Sequence, residues 1–132
     1  MELFGFPQDR YTPEPEGDTC AGGNVFLRRM YFRKAGCTER GHAHTYSHMT
    51  FLERGKIGLE VSGRQSIHVA PCGIKITASD IHTLVALEDD TVAYCIHALR
   101  DKDAETIFSF GEIPFEDDPL PHAAPLTQAP KR

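Results

Sequence analysis

The stretch Gly36–Gly55, GCTERGHAHTYSHMTFLERG, decides the reading of this chain. It sets His42, His44 and His48 within seven residues, between two glycines. All three stand at even positions. Side chains of a β-strand alternate faces, so a strand through this run projects the three imidazoles from one side. Burying three imidazoles without partners would cost about 1–3 kcal/mol each. A metal ion removes that cost, because each neutral ring gives the ion a lone pair and keeps its other nitrogen for an acceptor. The competing reading is a histidine-rich strand facing water. The convergence predicts a metal site.

Outward from this run, the chain reads as short strands separated by turns. Val25–Lys34 has one face with Phe26, Arg28, Met30 and Phe32, and this more apolar face is expected inside. Arg28 then points inward, where it would hold an anionic substrate or form a salt bridge at the rim. Ala35–Gly41 reads as a polar turn. Tyr46, Thr50 and Leu52 share the histidine face. Ile57, Leu59 and Val61 alternate with Gly58, Glu60 and Ser62. Gly63-Arg64 marks a hairpin turn. Ile67 and Val69 are expected buried, with His68 on the solvent side. Ile74–Ile76, His82–Leu87 and Val92–Leu99 complete the strands, and the face of His97 stays ambiguous. About eight strands with a turn every eight to twelve residues favour an antiparallel sandwich or barrel, which a double-sheet jelly roll accommodates.

The first 23 residues, with Pro7, Pro13 and Pro15, are expected to form an arm. Leu3, Phe4 and Phe6 would pack on the barrel or on a partner chain. The barrel spans residues 24–112, and a proline-bearing tail spans 113–132. At 132 residues the chain fits one domain with a real core. A formal charge of −5 leaves no basic footprint for nucleic acid. No run reaches the roughly 18 apolar residues of a membrane span. The N-terminus lacks the basic start and apolar core of a signal peptide, so a cytoplasmic location is expected. The four cysteines, Cys20, Cys37, Cys72 and Cys95, have no C-x-x-C pair and read as reduced thiols. Cys95 lies in an apolar run and reads as core; Cys37, near the histidines, has a ligand or redox role open to it.

These residues resemble the first motif of the cupins, G-x5-H-x-H, three or four residues, Glu, six residues, Gly. Gly36, His42, His44 and Gly55 fall in register, and His48 stands where the motif has glutamate. The second motif, P-x-G-x2-H-x3-N, is matched only at His82; Thr77, Ser79 and Ala86 replace its proline, glycine and asparagine. The resemblance covers Val25–Leu99. It implies a double-stranded β-helix, a divalent metal inside it and often a homodimer. The implied ligands are His42, His44, His48 and His82. Four neutral ligands leave the ion its full charge of about +2, which suits an anionic ligand. Imidazole ligation suits iron, copper, nickel and zinc, and manganese is compatible. Arg28 and Tyr46 are the candidates to contact a small-molecule substrate. Three functions remain open: an oxygenase for a small anionic or enolisable substrate, a non-redox isomerase or lyase with Tyr46 or His97 moving a proton, and a non-catalytic ligand-binding module.

Overall fold

The computed structural model describes residues 1–22, 25–41, 48–76 and 81–98, with the backbone alone at His48. Every regular element among them is a strand. The strands are β1 (Glu2–Leu3), β2 (Phe6–Pro7), β3 (Glu16–Gly22), β4 (Val25–Phe32), β5 (Thr38–Arg40) and β6 (His48–Arg54). They continue with β7 (Lys56–Val61), β8 (Arg64–Val69), β9 (Cys72–Ile76), β10 (His82–Ala86) and β11 (Thr91–Ala98). Two antiparallel sheets face each other, one in the order β3-β4-β11-β6-β9 and one in the order β5-β10-β7-β8. No helix among the described residues is long and apolar enough to cross a membrane.

The core lies between the sheets because alternation supplies an apolar face to each. Met30, Phe32, Leu52 and Ile74 come from the five-stranded sheet, and Ile57, Leu59, Leu84 and Ala86 from the other. Phe26, Met30 and Phe32 are buried as the alternation of β4 predicts. Two turns carry the chain from one sheet to the other at the same end of this sandwich. One is the β6–β7 turn at Gly55 and the other the β10–β11 turn at Glu88–Asp90. They lie side by side, with Lys56 N–H donating to Thr91 Oγ1 at 3.4 Å and Leu87 N–H to the Lys56 carbonyl at 2.8 Å. This end is closed. The starts of β6 and β10 and the ends of β7 and β11 therefore gather at the opposite end, the mouth.

Residues 1–22 divide into two pieces. Glu16–Gly22, read from the sequence as part of the arm, forms edge strand β3 along β4. Before it, β1 and β2 make a hairpin with Leu3 opposite Phe6. Its two loop residues, Phe4 and Gly5, both have positive φ (54° and 85°), as the tight turn that matches strand twist requires. Phe4 tolerates this strained region while its ring lies on Gly58, where an added Cβ would come within 2.7 Å of it. The hairpin covers the outer side of the four-stranded sheet, and Val85, opposite Gly58 and Thr38, is fully buried there.

One strand has the reverse facing from that expected. Ile67 and Val69 are exposed at 57% and 62%. In the ladder His68 lies opposite Ile57 and Ser66 opposite Leu59, so the even residues of β8 share the inward face. The sheet ends at β8, and a hydrogen bond of 2.9 Å joins His68 Nε2 and Ser66 Oγ there. Hydrophobicity alone misassigns the face of such an edge strand, because register decides it.

Candidate metal centre

His82 opens β10 at the mouth and is buried, with 6% of its surface exposed. It lies two and four residues before Leu84 and Ala86, both core residues, so alternation turns it inward. Gly41 packs directly against it. An added Cβ at Gly41 would lie 2.1 Å from the His82 carbonyl oxygen and 2.9 Å from its ring Nε2. Only a residue without a side chain allows this approach. The chain thus reaches His82 at Gly41, one residue before His42. It enters the five-stranded sheet at His48, whose backbone pairs with Ile76.

The Gly36–Gly55 run is not one strand. Thr38–Arg40, read as turn, is β5 and pairs with β10 in the four-stranded sheet. His48–Arg54 is β6 and pairs with β11 and β9 in the five-stranded sheet. The inward residues are odd-numbered before the crossing, at Cys37 and Glu39, and even-numbered after it, at Thr50 and Leu52. Alternation slips by one between the two segments, so parity does not carry through the run. His42, His44 and Tyr46 lie outside the described residues, as does the side chain of His48. Among the described residues no three His, Cys, Asp or Glu side chains converge as a metal site.

Arg28 points inward, opposite Cys95 in the ladder, and crosses the sandwich to Glu39 on the other sheet. The pair is bidentate, with Arg28 Nη1 donating to Glu39 Oε1 at 2.8 Å and Nη2 to Oε2 at 3.4 Å. Burial works against the guanidinium charge, but the Glu39 carboxylate outweighs it and raises the Arg28 pKa above its ordinary value. Of the two roles open to Arg28 in the sequence, the structure shows the salt bridge. Glu39 had no signal in the sequence, since its partner lies on a strand of the opposite sheet. Glu39→Ala leaves Arg28 half-buried without its main counter-charge. It is expected to cost about 1–3 kcal/mol, and Arg28→Met combined with Glu39→Leu less than that, in urea denaturation.

His97 also belongs to the mouth. It lies opposite Phe26 in the ladder, on the inward face with Ala93 and Cys95, and its ring centroid is 5.8 Å from that of Phe26. Burial pushes its pKa down to about 4, so the ring is neutral at pH 7. The Cys95 thiol contacts Thr50 Oγ1 at 3.8 Å, and burial raises its pKa. Cys37 is buried in the core at the level of Ala86, toward the closed end. Burial raises its thiol pKa as well, a setting for an inert core thiol. All four cysteines are free thiols.

No family model matches the chain, and no curated protein does. Solved structures do match. The chain is similar to KdgF from Halomonas sp., with a TM-score of 0.58 and 18% identity over 70% of this chain and 86% of that one. It is similar to a cupin 2 domain-containing protein from Halorhodospira halophila, with a TM-score of 0.57 and 15% identity over 70% and 68% of the two chains. A third likeness is to an RmlC-like cupin from Methanocaldococcus jannaschii with a double-stranded β-helix fold. Its TM-score is 0.57, with 9% identity over 75% and 93%. The two facing antiparallel sheets are thus those of a cupin fold, a double-stranded β-helix.

Proposed function

We propose that this cupin-fold chain binds a divalent transition metal at its mouth through His42, His44, His48 and His82, and that it acts as an oxygenase on a small anionic or enolisable substrate. The observation that carries the reading is His82. A histidine buried on the core face, with Gly41 kept bare of a side chain against its ring, is held where a strand-end ligand would be needed. The donor set fits, since neutral imidazoles suit iron, nickel, zinc, copper or manganese. Bound there, such an ion supplies Lewis acidity and, for a redox-active metal, electron transfer to oxygen.

The chain's own residues shape what else binds. Arg28 is paired with Glu39, so together they add no net charge, and their contact ties one sheet to the other. Phe26 and His97 pack their rings together on the inward face, an aromatic pair beside the proposed site. Anion capture then falls to the bound ion, with Tyr46 as the candidate hydrogen-bond donor.

Purified protein loaded with Fe(II) and given small 2-oxo or enolisable acids should consume oxygen. Metal uptake without oxygen consumption would move the reading to the isomerase, lyase or ligand-binding alternatives. Metal occupancy should also fall as pH drops through about 6.5, where free imidazoles protonate and compete with the ion. Full occupancy well below that range, measured by elemental analysis after dialysis, would rule out an imidazole site.

A further inference from the structure

We propose that β8 is a self-pairing edge, joining β8 of a second copy of this chain in antiparallel register about Ile67. The proposal is independent of the metal reading. β8 is the outer strand of its sheet, and its ladder to β7 closes through the two-residue turn Ser62-Gly63. Both turn residues have positive φ (50° and 83°), the form in which the flanking pair, Val61 and Arg64, is hydrogen-bonded. Bonded and non-bonded pairs then alternate, so Arg64, Ser66 and His68 bond β7. Ala70 N–H donates to the Gly55 carbonyl at 3.0 Å, in the same phase. The N–H and C=O groups of Gln65, Ile67 and Val69 therefore point away from the sheet. None of these three has a backbone partner there among the described residues.

Sheets blunt their free edges with charge, proline or brevity. Among the described edges, β3 carries Glu16 and Asp18, and β9 carries Lys75. β5 is three residues long, and its Thr38 N–H donates to the Pro13 carbonyl. β8 has six residues with no proline, lysine or bulge, and it exposes Ile67 at 57% and Val69 at 62%. This edge is also self-complementary. Setting Ile67 against its counterpart places Gln65 opposite Val69 on either side, and each of these pairs exchanges both N–H···O=C bonds. The odd residues of both copies then share the outer face, as alternation demands. The β7 ladder extends the rows. Gly58, on which Phe4 lies, is opposite Ile67, so the central row is apolar across both copies. Val69 is opposite Lys56 and Gln65 opposite Glu60, so each flanking row begins at Lys56 of one copy and ends at Glu60 of the other. Arg64 meets Ala70 and not itself. One strand pair is small beside the about 800 Å² per partner of a standard interface, so the dimer is a weak, reversible one.

The test is sedimentation equilibrium of the full chain over a micromolar to near-millimolar series, with folding checked by circular dichroism. The parent is expected to dimerise reversibly. Ile67→Lys sets two like charges face to face and should weaken dimerisation by more than about 100-fold, as should Ile67→Glu. An equimolar mixture of these two variants opposes unlike charges and should recover association to the parent's level. Ile67→Ala keeps the backbone ladder and should weaken it by no more than about fivefold. Met49→Lys, at a side chain 50% exposed on the outer face of the other sheet, should leave dimerisation unchanged. A parent that stays monomeric throughout the series overturns the proposal. So does a mixture that associates no better than either variant alone. A dimer dispersed by Met49→Lys and not by Ile67→Lys lies on the five-stranded sheet and overturns it as well.

Discussion

His82→Ala is expected to lower metal affinity by more than about 100-fold, or about 2.7 kcal/mol. The ring is nearly fully buried and faces inward at the start of β10, so its loss removes a donor that no solvent-exposed side chain replaces. Removing a directly bound ligand should exceed the 10–100-fold typical of a supporting residue. His44→Ala is expected to behave alike. His68→Ala is the control, since His68 is on edge strand β8 and bonds Ser66. Competition against a chromophoric chelator measures all three. Unchanged affinity in either His82→Ala or His44→Ala would make the ligand assignment wrong.

Phe32→Ala is expected to cost about 3–5 kcal/mol. Phe32 is among the largest fully buried side chains, at the end of β4 near the closed end and opposite Thr91. Strands pack on it from both sheets, so the cavity cannot collapse cheaply. Against a typical total of about 5–15 kcal/mol, this is about a fifth of the stability or more. The melting temperature should drop by about 10–25 °C. Ile67→Ala, at 57% exposure on β8, should stay within about 0.5 kcal/mol. A Phe32→Ala chain with an unshifted urea midpoint would contradict the placement of the core.

The fold was legible because period-two alternation is local. The strands around Phe26–Phe32, Ile57–Val61 and Leu84–Ala86 announce their inward faces by hydrophobicity alone. Thr38–Arg40 did not, since it is short, polar and paired only with β10 at the edge of its sheet. Val85 is buried on an outer face because a distant hairpin covers it, which no local pattern encodes. At the site, His82 was found through motif spacing, although its neighbours depart from the motif. Glu39 had no role in the sequence reading, and His97 was a candidate proton mover whose face stayed ambiguous. Glu39 meets Arg28 across the sandwich, and the inward face of His97 follows from the register of β11 against β4, where it packs on Phe26.

The place of β11 has a consequence for how the molecule comes into being. It is the last described strand in the chain and the middle strand of its sheet, with β4 on one side and β6 on the other. Until it is made, that sheet exists only as two separate pairs, β3 with β4 and β6 with β9. Ladders between strands so far apart in the chain close slowly, because the intervening loop entropy must be overcome before any contact rewards it. A chain emerging from the ribosome therefore cannot complete this sheet before β11 is released. Under the metal reading proposed above, metal uptake during synthesis would report the final zipping step rather than the folding of either half.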